Sequence, residues 1–321
     1  MIRLLRSELL RARSRRLVPM VLVGCLVAIM VGLTIAAFNS TKPSATETDQ
    51  AQAQYERSFA RCMNGRYFGN GEQLPLGYDS LKDFCEKNTG VYVDSSMWIG
   101  DLRHVIEGAA TFTILIGVIL AASLGGADWS AGTMATLLTW EPRRILVLLA
   151  RAIVVAVLVF VFTLVLQLIL AGVFALAVSL RGTTAGHPPG LLEDTVRTML
   201  RVSTMAVAIG IVALALATLG RSTVAALGIL FGYLVLFEGV IAGFSRGTQD
   251  KLLVRAAGVV VSRQPIIGFH ETFSSSVGGL SSGNNGAYIL LGVGEAWLVV
   301  GFYVVALLGI ALLVFRSRDV N

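Results

Sequence analysis

Long apolar runs alternate with short polar connections along this chain. Six of the runs are long enough to cross a bilayer: 17–38, 105–124, 145–180, 202–219, 223–244 and 288–315. A crossing takes about 20 mainly apolar residues. Because the hydrocarbon core offers no water, each crossing must be a helix that satisfies its own backbone. The pattern therefore predicts an all-α polytopic membrane protein with six spans. The run at 145–180 exceeds one bilayer thickness at the helical rise of about 1.5 Å per residue. Its beginning is expected to project beyond the membrane.

The connections are as informative as the spans. Residues 1–16 place Ile2, Leu5, Leu9 and Ala12 at helical spacing, with Arg3, Arg6, Arg11, Arg13 and Arg15 mostly opposite. This reads as an amphipathic helix lying in the headgroup region. The run that follows is longer than the roughly 7–15 residues of a signal-peptide core, so it is expected to be a retained anchor. Residues 39–104 form an extracytoplasmic cap whose beginning, Thr41–Asp49, reads as a linker. Residues 125–144 form a short cytoplasmic loop, 181–201 an outer loop, and Gly220-Arg221-Ser222 a tight turn.

The stretch 245–287 is intermediate in character. Leu252–Val261 is apolar but too short to cross, and Ser274–Gly286 is rich in Ser, Gly and Asn. Irregular backbone at membrane depth must be buried in protein or line a cavity. A re-entrant hairpin followed by an outer loop is expected here. Residues 316–321 form a short tail.

Composition sharpens the class. The 321 residues are 55% hydrophobic and 14% charged, against about a quarter charged in soluble domains. The net charge of +6 comes mainly from arginines beside the apolar runs. That placement argues for membrane orientation and against a nucleic-acid partner. Basic residues at 3–16, 143–144, 221 and 316–318 fall on one side of a six-span topology. Both termini are then cytoplasmic, and the expected location is the bacterial plasma membrane. Cys25 lies within the first run. Cys62 and Cys85 share the cap, where an oxidising compartment favours a disulfide between them, with two free thiols as the alternative.

Several chemistries are missing. The chain holds no phosphate-binding loop of the form G-x-x-x-x-G-K-[ST] and no H-E-x-x-H. His104, His187 and His270 show no ligand spacing. No metal site, cofactor or enzymatic activity is expected of the chain itself.

The layout resembles the type-2 ATP-binding-cassette exporter permeases. The likeness rests on the basic interfacial helix, the six spans, the short loop between spans two and three, and the re-entrant stretch before the last span. The most telling segment is 125–151, where Asp128, Gly132, Thr133, Leu137, Pro142, Arg143 and Arg151 match the family pattern. The first outer segment is larger than the minimal family plan.

The resemblance implies a half-transporter. Two permease chains, identical or homologous, form the pathway, and two separate ATPase subunits bind ATP and Mg beneath them. The loop Asp128–Arg144 becomes the coupling helix. Gly132 breaks the span; Met134, Leu137 and Leu138 offer an apolar knob; Asp128, Glu141, Arg143 and Arg144 offer charge-assisted bonds. Against this stands an ordinary interfacial turn anchored to lipid.

Ionisable groups in spans are costly and commonly face a cavity or a partner. Glu107, Glu238 and Glu295 are such groups. They suit an outer gate that attracts a cationic amphiphile, or they pair locally with Arg103, Arg197, Arg201 or the re-entrant stretch. The resemblance makes spans two and five line the pathway, which adds Phe112 and Phe231 as apolar pathway candidates. Gln167, mid-span, suits an interhelical hydrogen bond. The expected substrate is hydrophobic or amphipathic. The competing function is a permease-like sensory or scaffolding subunit that transports nothing.

Overall fold

The computed structural model describes residues 17–64, 81–89, 97–130, 132–133, 144–184, 190–238, 240, 252–264, 266–269 and 287–317. The chain is all-α and membrane-embedded in character, with five helices among the described residues long and apolar enough to cross a bilayer. In order, α1 is Leu17–Phe38, α2 Ala45–Met63, α3 Leu81–Asn88, α4 Leu102–Ser130, α5 Arg144–Arg181 and α6 Leu191–Gly220. They are followed by α7 Thr223–Gly232, α8 Leu253–Ser262 and α9 Val293–Ser317. The five candidate crossings are α1, α4, α5, α6 and α9.

Several expected boundaries differ from those observed. Helix α2 begins inside the stretch read as a linker. Ser44 caps it: its hydroxyl accepts from the Glu47 amide, and Glu47 bonds back to the Ser44 amide at 2.7 Å. Ser-x-x-Glu is a capping box, a helix-start signal that the surrounding polar residues mask. Helices α4 and α6 run beyond their apolar windows of 105–124 and 202–219. The polar first turn of α6, with Glu193 and Asp194, sits at the positive end of the helix dipole, where acids are favoured.

Of the expected span 223–244, the described apolar helix is Thr223–Leu236, which widens to π-helical turns over Tyr233–Glu238, and its residues from 241 onward lie outside the described ones. Helix α9 starts five residues after Tyr288, because Ala287–Leu291 is a strand. That strand, β4, pairs antiparallel with β3, Ile266–Phe269. A second small sheet pairs β1, Met97–Trp98, with β2, Gly182–Thr183. The short strands are the departures from a purely helical chain. The interfacial helix of 1–16, the loop 134–143, His187, His270, the Ser/Gly-rich stretch and the residues from 318 onward lie outside the described residues.

Helix α6 is the axis of the bundle. Two thirds of its most apolar window is buried, against 6% for α1. Lipid tails are as apolar as leucine, so helix association here depends on close backbone approach through small residues. Gly117 and Ala121 on α4 meet Ala206 and Gly210 on α6: a Cβ added at Gly117 or Gly210 would lie 3.3 Å from the facing alanine. Gln167 on α5 ties the third helix in. Its amide donates to Ser203 Oγ at 3.0 Å and to the Met199 carbonyl at 3.4 Å, both on α6.

Helix α1 stands at the periphery with Met20, Val23, Val27 and Ile35 exposed, as suits a lipid-facing helix. The cap joins the bundle at one end. Trp98 of β1 packs with Ala51 and Tyr55 of α2, and Cys62 and Cys85 are bonded to each other, linking α2 to α3. Arg181 at the end of α5 lies 5.4 Å over the Phe38 ring of α1.

Candidate functional site

Two places in the bundle gather the charged residues. One lies at the end opposite the cap, where α4 stops. Gly132 takes a left-handed conformation, φ +69°, which a residue without a Cβ adopts at least cost. Its amide donates to the Trp129 carbonyl at 3.1 Å, and the Thr133 hydroxyl donates to the Asp128 carbonyl at 3.3 Å. These bonds satisfy carbonyls that the helix end leaves open. Gly132 thus turns the chain out of α4, as its position in the sequence suggests.

Asp128 would be unfavourable near the negative end of α4 without a counter-charge. Arg151 of α5 supplies one, and the two form an ion pair. Their side chains are only 13% and 3% exposed. A buried pair of this kind fixes geometry more than it adds net stability.

Around it, Trp129 meets Phe315 of α9 edge-on at 6.0 Å, and Arg221 lies 5.1 Å over the Trp129 ring. Arg221 itself is left-handed, φ 52°, and closes α6 before Ser222 caps α7. Four elements therefore converge where α4 ends. Arg144 begins α5 on the other side of the loop. Met134, Leu137, Glu141 and Arg143 belong to that loop and lie outside the described residues.

Gly126 sets how closely these parts approach. A Cβ there would lie 2.4 Å from the Thr223 amide nitrogen and 2.8 Å from its Cα. Backbone cannot yield as a side-chain tip can, so α4 would have to move away from the α6–α7 turn. Gly126→Ala is expected to lower stability by about 2–3 kcal/mol, the upper range for overpacking. It should also loosen the Asp128–Arg151 pair two residues on. Thermal unfolding of the purified variant checks this; an unfolding temperature equal to that of the parent chain would contradict it.

The second place is built around α8, which is too short to cross a membrane and whose ends need partners. The first amides and last carbonyls of any helix lack intrahelical bonds. Here a charged side chain attends each end. The Glu238 carboxylate accepts from the Val254 amide at 2.8 and 3.1 Å. Glu238 also interacts with Tyr233, whose hydroxyl lies 3.0 Å from that of Tyr303 on α9. At the other end Arg103 of α4 donates to the Ser262 carbonyl at 3.2 Å and to Glu107 Oε1 at 2.7 Å. An acid at the amino end and a base at the carboxyl end both complement the helix dipole. Among the described residues, Arg151 and Glu238 are the buried charged side chains, and they anchor the two places in turn.

Beside α8 lies a cavity of about 420 Å³ between α4, α7 and α8, with Ile209 of α6 behind it. Its wall is apolar, with Glu107 and Ser262 among its few polar residues.

The expected pathway residues are distributed as follows. Glu107 borders the cavity but is engaged by Arg103; Glu238 sits at the amino end of α8. Glu295 is exposed and caps its own helix through the Gly292 amide at 3.0 Å. The three acids thus each hold a local partner rather than closing a ring. Phe112 and Phe231 are exposed on the outside of the bundle and do not border the cavity.

Sequence reading named Arg103 only as a possible partner, although its spacing of four from Glu107 is that of a helical ion pair. The pairing of Asp128 with Arg151 and of Tyr233 with Tyr303 left no signal in spacing, since each joins separate helices. No family model, curated protein or solved structure matches this chain.

Proposed function

We propose that this chain is the membrane-spanning permease subunit of an ATP-driven exporter of the type-2 ATP-binding-cassette kind. In this reading six segments cross the plasma membrane, with 223–244 as the fifth and α8 as part of a re-entrant hairpin. Both termini and the loop after α4 face the cytoplasm. A second permease chain, identical or homologous, completes the pathway, and two ATPase subunits bind ATP and Mg. The transported molecule is hydrophobic or amphipathic.

The observation that carries the reading is the frame around the loop 131–143. Gly132 turns the chain sharply out of α4, and the Asp128–Arg151 pair joins α4 to α5 just inside the bundle. Both ends of the loop therefore spring from one stiff unit. A force applied to the loop by an ATPase would reach α4 and α5 together, and through Trp129, Phe315 and Arg221 it would reach α9 and the α6–α7 turn. Helix α4 borders the cavity further along its length. Closure of the ATPases on ATP would thus rock the bundle and alter the cavity.

Co-purification tests the assignment. The full chain should bring down an ATPase encoded beside it, and Arg143→Glu with Arg144→Glu should abolish the association while leaving the chain folded in detergent. If the reversed variant holds the ATPase as well as the parent does, the loop is not the docking element.

A further inference from the structure

Arginines gather near the Ser262 edge of the cavity. Arg103, at the carboxyl end of α8, lies close enough to Arg201 of α6 for the two guanidinium groups to repel each other, and Arg263 acts on Arg201 in the same way. Arg263 directly follows Ser262, which borders the cavity. Arg201 is half-buried and makes no hydrogen bond or ion pair among the described residues. The three guanidinium groups thus act on one another, and Arg103 reaches the edge of the cavity through the Ser262 carbonyl.

The facing charges are fewer. Glu107 is held by Arg103, and Asp194 acts on Arg201. Arg197 also lies near, but Glu193 pairs with it. The carbonyl end of α8 offsets about half a charge more. Among the groups named, arginines outnumber carboxylates by one. Neither Glu107 nor Glu238 is at liberty to attract a cation, because Arg103 holds the first and the amino end of α8 the second.

We propose that the cavity beside α8 binds the acyl chain of an anionic amphiphile, whose phosphate or carboxylate is held by Arg201 together with Arg103 and Arg263. The apolar wall accepts the chain; Ala110, Ile114, Val118 and Leu230 line its depth. Arginine recognises such oxyanions through paired N–H donors, and it keeps its charge where lysine would surrender it. As a statement of what is transported, this rests on the exporter reading. As a binding site it does not, because binding needs no ATPase.

The test is native mass spectrometry of the full chain released from a neutral detergent. The probes are lysophosphatidylglycerol and lysophosphatidylcholine with the same oleoyl chain, with oleate as a third. The anionic lipid should bind about tenfold more tightly than the zwitterionic one, as one charge-assisted contact supplies. Arg201→Gln should remove most of that preference. Gly258 borders the cavity and a Cβ there meets nothing within 4 Å. Gly258→Leu should therefore fill space without disturbing the fold and weaken both lysolipids alike.

Oleate binding alongside the lysophosphatidylglycerol supports a site for any anionic head, and its failure to bind supports one that requires phosphate. Equal binding of the two lysolipids to the parent chain would overturn the proposal, as would an unchanged preference in Arg201→Gln. Anionic preference without ATPase association would leave this site standing and remove the exporter reading; the reverse result would do the opposite.

Discussion

Arg151→Ala should be among the most damaging single substitutions in this chain, lowering stability by about 3–5 kcal/mol, the range for breaking a buried ion pair from one side. The cause is the charge left behind. Asp128 is 13% exposed and sits near the negative end of α4, so removing the guanidinium takes away its ion-pair partner where the helix dipole is unfavourable. Replacing both partners, Asp128→Leu with Arg151→Leu, should recover much of the loss, because an apolar pair needs no compensation.

The recovery would separate stability from function. The double variant should fold but fail to carry motion from the loop into α4 and α5 as one unit. Thermal unfolding in detergent reads the first effect. An Arg151→Ala protein as stable as its parent would show that Asp128 is not buried against Arg151.

Glu238→Ala should have the second large effect, confined to α8. The part-buried Val254 amide would lose the carboxylate that caps it, at a cost of about 1–3 kcal/mol for a donor left unsatisfied. Loss of the charge–dipole interaction adds to this. Hydrogen exchange over 252–262 should then speed by about 30-fold or more, while the amides of α6 keep their protection. Glu238→Gln should fall between, since its amide oxygen still accepts a bond but carries no full charge. Uniform loss of protection across the bundle would mean instead that Glu238 supports the whole fold.

The sequence yields the spanning helices because their signal is composition over length. The observed α1 and α5 begin and end within one residue of the apolar windows 17–38 and 145–180. Elsewhere helices continue past the apolar run, since a helix at an interface obeys capping and dipole rules rather than hydropathy. The start of α6 at Leu191 and of α2 at Ala45 are of this kind. Strand β4 was hidden for the opposite reason: Tyr288–Leu291 is as apolar as the span it precedes, and only its pairing with β3 makes it a strand.

The candidate sites divide along the same line. Gly132 could be read as a helix breaker from its place between an apolar run and a basic one. Partners that meet across helices could not. Nothing in the spacing of Asp128 and Arg151, 23 residues apart, predicts their contact. The same holds for Arg103 and the Ser262 carbonyl, which are 159 residues apart. Membrane helices present similar apolar faces to one another, so the register in which they dock is set by small residues such as Gly117 and Gly210 and by few polar pairs.

The central claim, that an ATPase drives this bundle through the loop after α4, is tested most directly by ATP turnover. The full chain would be reconstituted in lipid nanodiscs with the ATPase subunit that co-purifies with it. The expected result is turnover that depends on the chain and falls by about tenfold in Arg143→Glu with Arg144→Glu, as losing a pair of charge-assisted contacts would produce. Turnover indifferent to the presence of the chain, or to that charge reversal, would contradict the account.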